Sequence, residues 1–296
     1  MAVAHDAVSE SHTSTTASVS EASFSWTHTP VGTPKGVFVV VYTMGSTTDH
    51  VTSVTYNGVT MARTSGGAAT VSAGDEPGRA DLFELGSSVP TGAQTVVVNR
   101  TNDAIEMYAN AITVTAGADT EVYSSGIVLV EANSTLAEQN VSDGSTGVDS
   151  LRYAAAYLGY GTPPGAGTNS TSLGGSANID VGNYGARIVR ETTAGQGSRP
   201  VGFTAGTTDD IAAIHWAVRE VAASGLSITN ITPTVIDTGD SVTVTGSGFG
   251  GSQGSSVIRI GSVVQTATSW ADGQIVFTAN RSTDSMGAAT FRLEKG

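Results

Sequence analysis

The sequence predicts an all-β protein in two units, and three observations carry that expectation. Charged residues make up only 13% of the chain, about half the share usual in soluble proteins. Their place is taken by 37 glycines together with Ser and Thr, with Val the dominant apolar type. β-Branched side chains suit a pleated, half-buried surface, and glycine marks turns and bulges. The apolar residues, 39% of the chain, fall in short runs or strict alternation bounded by Gly, Pro, Asn and Asp, as in sheets linked by turns. Finally, 296 residues are about twice a typical domain length, and Ala222-Ala-Ser-Gly225 reads as a short linker between a large and a small unit.

The elements follow in order. The Ser/Thr/Ala-rich residues 1–21 fit either a flexible N-terminal arm or an edge strand. Phe24-Ser-Trp26-Thr-His28 alternates as a half-buried strand should, whereas Gly36-Val-Phe-Val-Val-Val-Tyr42 is continuous and apolar, a strand buried on both faces. Val54-Thr-Tyr56-Asn57-Gly58-Val59-Thr-Met61 is a β-hairpin, because Asn-Gly supplies the two positive-φ residues of a type I′ turn. Further strands are expected at 80–85, 94–99, 107–115, 126–130, 152–160, 186–191, 201–204 and 211–221. Arg152–Leu158 carries helix-favouring alanines, yet Tyr153, Tyr157 and Tyr160 suit a strand, and a strand is the reading taken. Residues 161–175, rich in Gly, Pro, Ser and Thr, read as a long surface loop of the kind that often carries binding.

From Leu226 onward the order of residues is specific. It runs Ile228-Thr-Asn-Ile231-Thr-Pro233, Gly239-Asp-Ser-Val242-Thr-Val244-Thr-Gly246-Ser-Gly248-Phe249-Gly250, Val257-Ile-Arg-Ile260-Gly261, Ser269-Trp270-Ala-Asp272 and Ile275-Val-Phe277. This segment resembles the IPT/TIG family of immunoglobulin-like domains. The resemblance implies a small Ig-like sandwich used for interaction and spacing, with Pro233 closing an edge strand and Gly246 and Gly248 bending the chain so that Phe249 enters the core. It does not fix a function, since the module serves many kinds of protein.

The preceding residues carry Thr29-Pro30-Val31-Gly-Thr33-Pro34-Lys-Gly36, the Asn57-Gly58 hairpin, Asp81-Leu-Phe83-Glu-Leu85, Gly92-Ala-Gln94-Thr-Val96 and Ile214-His-Trp216-Ala-Val218. In order and spacing these resemble a sandwich domain of tailed-phage and environmental virus structural proteins. The expected architecture is therefore a large jelly-roll-like β-sandwich over 22–222, followed by a small immunoglobulin-like β-sandwich over 226–296.

The sequence excludes several kinds of chemistry. A net charge of −13, with no cluster among its 13 basic residues, argues against nucleic-acid binding. Cysteine is absent, which removes disulfides, thiolate metal sites and thiol nucleophiles. The opening Met1-Ala-Val-Ala-His5-Asp6 reads as lacking a secretory signal, and the apolar run Val37–Tyr42 is too short to span a bilayer. Gly246-Ser-Gly-Phe-Gly250 has the letters of a nucleophile elbow but sits at a turn with no helix after it. None of the five histidines has zinc-like spacing, and Asp49-His50 reads as a turn. Asp143, Asp149, Asp237 and Asp240 lack the dense pattern of a calcium loop. Six Asn-x-Ser/Thr triplets (Asn99, Asn133, Asn140, Asn169, Asn230, Asn280) are what so Ser/Thr-rich a chain produces by chance.

The functional expectation is a non-enzymatic virion structural protein without catalytic residue, metal or cofactor. It would be a capsid decoration (cement or head fibre) protein on the particle surface, a homo-oligomer whose partner is the major capsid protein or tail proteins, with the N-terminal arm as docking element. The alternative is a tail-associated or cell-surface carbohydrate-binding adhesin that meets a host surface glycan. For that reading Tyr153, Tyr160 and Tyr184 are the candidate ligand-facing aromatics, while Trp26, Trp216 and Trp270 are assigned to the cores.

Overall fold

The computed structural model describes residues 2–12, 22–72, 76–101, 105–134, 136–144, 149–159, 165–174, 185–204, 209–221, 227–249, 253, 256–261, 263–271, 273–280 and 291–294. The chain divides into two compact units, Met1–Val221 and Ala222–Gly296. Among the described residues every regular element is a strand except one 3₁₀ turn at Ser124–Gly126. The expected linker at 222–225 lies outside the described residues.

In the N-terminal unit, one sheet serves two sandwiches. This middle sheet has the order β1-β9-β3-β7-β6, with β1 at Ala4–His12, β3 at Gly36–Met44, β6 at Ala62–Val71, β7 at Gly78–Leu85 and β9 at Met107–Thr115. Along β3 the side chains divide by parity. Val37, Val39 and Val41 enter one apolar cluster, and Phe38, Val40, Tyr42 and Met44 the other. Successive strand residues point to opposite faces, so a run with no polar residue is what a sheet covered on both faces requires. All nine residues of β3 are buried.

On one side lies a front sheet in the order β2-β8-β4-β5, formed by β2 (Ser23–His28), β4 (Val51–Tyr56), β5 (Val59–Thr60) and β8 (Gln94–Arg100). The predicted hairpin joins β4 to β5, pairing Tyr56 with Val59, and Asn57 and Gly58 take φ of 50° and 75°. On the other side lies a back sheet in the order β10-β17-β13-β15-β14, with β11 also pairing β17. Its strands are β10 (Thr120–Val122), β11 (Val128–Ser134), β13 (Leu151–Leu158), β14 (Ser170–Gly174), β15 (Gly185–Glu191) and β17 (Asp209–Glu220). A ribbon of β12 (Gln139–Val141) and β16 (Arg199–Val201) covers its far face, with Leu136, Val141, Val201 and Phe203 packed on Ala154, Ala156, Ile211 and Ala213. The alanines of β13 thus serve close packing on both faces, and the aromatic content decided for strand over helix.

Of the two readings of the N-terminal stretch, residues 4–12 follow the edge strand and not the free arm: β1 pairs with β9 from Ala4↔Thr115 to His12↔Tyr108. A docking role for this stretch would therefore use the outer edge of a strand already in the sheet, and 13–21 lie outside the described residues. The 161–175 loop is partly sheet, because Ser170–Gly174 is β14.

The C-terminal unit is a two-sheet sandwich. One sheet has the order β18-β19-β23-β22 and the other β21-β20-β24. These are β18 (Ser227–Thr232), β19 (Ser241–Ser247), β20 (Val257–Ile260), β21 (Val263–Gln265), β22 (Ala267–Ala271), β23 (Gln274–Thr278) and β24 (Phe291–Glu294). Val242, Val244, Ile258, Ile275 and Phe277 alternate inward to form its core. Phe249 joins them at 1% exposure after the bend at Gly248, whose φ of 77° favours glycine. A Cβ on Gly246 would lie 1.8 Å from the Ser227 carbonyl oxygen, so that close approach of β18 also needs glycine.

Candidate functional site

Of the three aromatics assigned to a ligand face, Tyr153 is misplaced by that assignment. It is fully buried between the middle and back sheets, stacked on Trp216 with ring centroids 5.4 Å apart. Position 153 has the parity of Leu151 and Tyr157, which face the same cluster, so it cannot meet solvent. Tyr160 and Tyr184 lie outside the described residues. Trp216 is a core residue, and Trp26 and Trp270 are half-buried against theirs.

Three side-chain constellations stand out. The first links the edge strands of the front and middle sheets. A β-bulge between His5 and Ala7 leaves Asp6 out of register in β1, and a bulge re-aims the residue it displaces. Asp6 accepts the Thr113 hydroxyl at 2.9 Å and the amides of Val31 and Gly32 at 3.2 and 2.7 Å. Thr113 lies 3.1 Å from His28 Nε2, and His28 Nδ1 lies 2.7 Å from Ser9 Oγ, which also accepts the Trp26 indole N–H at 2.8 Å. Burial lowers the His28 pKa to about 4, so the ring is neutral at pH 7. Its Nε2–H then donates to Thr113 and its Nδ1 accepts from Ser9. Proton direction is consistent along the whole chain. It uses a serine and a histidine, but its geometry is that of a clasp: it ties β1 to β2 and closes the open side of the sandwich.

The second constellation is a buried ion network at the rim of the back sheet. Arg152 and Asp143 are both fully buried and 3.2 Å apart, and Arg152 Nη1 donates to Glu191 at 2.9 Å. The remaining Arg152 donors go to the carbonyls of Val141 and Gly195, both at 2.8 Å, and of Gly197. Asp143 also accepts from Ser150 at 2.7 Å and from the Gly197 amide. Glu191 holds Arg199 through its second oxygen at 3.0 Å. Burial raises the Glu191 pKa while Arg152 and Arg199 oppose that shift.

The third opens on the outer side of this network, where Glu191 and Arg199 line a polar depression of about 250 Å³ with Thr168, Asn169, Thr192 and Thr193. Its walls come from the segment before β14, the end of β15 and the start of β16. Asn169 is fixed by its amide and Nδ2 to the two oxygens of Glu138, at 2.8 and 3.0 Å, and its carbonyl accepts Thr192 N–H at 2.8 Å. Sequence reasoning marked 161–175 as a candidate binding loop, which supplies Thr168 and Asn169. It missed Glu191, Thr192, Thr193 and Arg199, because nothing local ties residues 191–199 to residues 168–169.

The remaining acidic and histidine candidates have other partners. Asp49 accepts from Arg63 at 2.9 Å, while His50 sits between Ser46 and Thr101 at 3.1 and 2.9 Å. Asp210 is buried at the start of β17 and accepts the Glu76 amide. Among the described residues no group of three or more His, Asp or Glu is placed to hold a metal ion, and no helix is long and apolar enough to cross a membrane.

Comparison with known families finds an IPT/TIG domain at residues 226–294. The C-terminal sandwich is thus an immunoglobulin-like module of that family. Comparison with curated proteins and with solved structures finds no match, so the virus-protein resemblance of the N-terminal unit rests on its sequence motifs alone.

Proposed function

We propose that this chain is a non-enzymatic structural protein displayed on the surface of a virus particle as a capsid decoration protein, a homo-oligomer in contact with the major capsid protein or tail proteins. The observation that carries this reading is the double sandwich, whose middle sheet is covered on both faces. Such a stack suits mechanical reinforcement and display, and the charged groups in its interior are engaged with one another in ion pairs. An IPT/TIG module fits the same use, as a spacer or contact domain. A net charge of −13 keeps many displayed copies apart and soluble. The test is cryo-EM of purified particles with mass-spectrometric identification of this chain. Symmetric copies on the capsid are the expected outcome, and absence from every particle sinks the reading.

A second reading, a carbohydrate-binding adhesin, is favoured by the polar depression beside Glu191 and Arg199. A few copies at a tail tip, in the same experiment, would shift the balance to it.

A further inference from the structure

We infer that the depression lined by Thr168, Asn169, Glu191, Thr192, Thr193 and Arg199 binds one uncharged sugar ring of a glycan. This deepens the adhesin reading and rests on it.

The case begins with charge. Glu191 and Arg199, the two ionised groups lining the depression, are paired at 3.0 Å. Behind them Arg152 is matched by Asp143. Among these four groups a charged ligand would find no uncompensated counter-charge, and its desolvation would go unrepaid.

Next come the groups left over. Arg199 uses Nε on Glu191 and Nη2 on the Thr193 carbonyl at 2.9 Å, which leaves Nη1 as a donor. Because Asn169 Nδ2 is committed to Glu138, its Oδ1 is left as an acceptor. The hydroxyls of Thr168, Thr192 and Thr193 each offer one donor and two acceptor sites. A donor, an acceptor and three groups that are both make the complement of a ring of hydroxyls, each of which also donates once and accepts twice.

Size and rigidity agree. About 250 Å³ lies below the roughly 300 Å³ at which pockets for drug-sized ligands begin, and it admits a single ring. The walls are held in place before any ligand arrives. Asn169 is pinned to Glu138 and Thr192, Gly167 to Gly202 at 3.0 Å, and the Ser170 hydroxyl to the Gly202 amide at 2.9 Å. The Arg199 guanidinium lies over Gly195, where a Cβ would meet Nη1 at 2.4 Å. Preorganisation lowers the cost of binding. Among the described residues the carbon surface on offer is the ring of Pro200, with no aromatic platform. The affinity per site is therefore weak, near 1 mM, or about −4 kcal/mol, and repeated display would raise the avidity.

Saturation-transfer NMR on the full chain, with glucose, galactose, mannose and N-acetylglucosamine as probes and sialic acid as charged comparator, tests this. The expected result is transfer to at least one neutral sugar, weakened more than about tenfold in Thr193→Trp, which fills the depression from its rim. Thr168→Trp fills it from the opposite wall and serves if the first variant does not fold. Stronger transfer to sialic acid than to any neutral sugar would overturn the inference. So would neutral-sugar binding that both variants retain, although the adhesin reading would then survive with its site elsewhere. No transfer to any probe would overturn the two together and leave the display reading to the particle experiment.

Discussion

In the N-terminal unit the middle and back sheets are covered on both faces, whereas the strands of the C-terminal unit alternate between a buried face and one that meets solvent. The difference is chemical as well as geometric. A two-sheet sandwich can turn its polar side chains outward, and the core of the C-terminal unit is built on an apolar cluster from Val242 to Ala279. The buried polar side chains described there are Ser256 and Gln265, and Gln265 bonds the backbone of Val263 and Asn280 at 2.7–3.0 Å. A stack of sheets has fewer outward faces. Arg152, Asp143, Glu191, Asp81, His28 and His215 are all buried in the N-terminal unit, and each must find a partner there or remain neutral.

The sharpest way to break this contrast is Arg152→Ala. The variant leaves Asp143 and Glu191 buried without their shared cation, a loss of the kind that costs about 3–5 kcal/mol. Denaturant unfolding of the variant measures it. A change below about 1 kcal/mol would show that the network is solvated in solution and that the N-terminal interior is no more charged than the C-terminal one.

The second test uses pH. All five histidines lie in the N-terminal unit, and burial lowers the pKa of His5, His28 and His215 from 6.5 to about 4. Between those values the unfolded chain binds more protons than the folded one. Stability is therefore complete above pH 6.5 and is lost as pH falls toward 4. His215 is the most enclosed of the three, set against the backbone of Val128 and Ala137 and edge-on to Phe203. The interval from 6.5 to about 4 corresponds to about 3 kcal/mol. His215→Leu should reduce the acid-induced loss of stability between pH 7 and pH 4 by about that amount. An unchanged acid-denaturation curve would mean that the ring accepts a proton without cost.

The same contrast governs what could be read from the sequence. Alternation is legible wherever one face is wet, so the hairpin at Asn57-Gly58 and the Val242/Val244 strand were expected and are present. The continuous run Val37–Tyr42 announced burial on both faces, yet no periodicity names the layer that covers the second face. That layer is β13 and β17, more than a hundred residues away in the chain. β6 was not legible as a strand, and β1 only as an alternative to a flexible arm, because Ala4–His12 and Ala62–Val71 are polar or small and hold their places through pairing with β9 and β7. Tyr153 failed as a ligand-facing residue for a related reason: chain position near a loop says nothing about which face of a doubly covered strand a side chain takes. The pocket was legible only in its loop half, since nothing in the sequence shows that Glu191–Arg199 folds back beside Thr168 and Asn169.

The smallest expected effect isolates the C-terminal unit. Ile258 is fully buried in β20, between Leu293 of β24 and Gln265 of β21. Ile258→Val removes one methylene from an apolar core, for a cost of about 0.5–1.5 kcal/mol. With no histidine between residues 222 and 296, that cost should be equal at pH 7 and pH 5.5, where no carboxylate of ordinary pKa has yet taken up its proton. Hydrogen exchange followed peptide by peptide reads it locally. Amides of β20 and its partner strands should exchange about two- to tenfold faster in the variant, by the same factor at both pH values after correction for intrinsic rates. A factor that grows on acidification would place a titrating group inside the C-terminal sandwich and remove the chemical distinction between the two interiors.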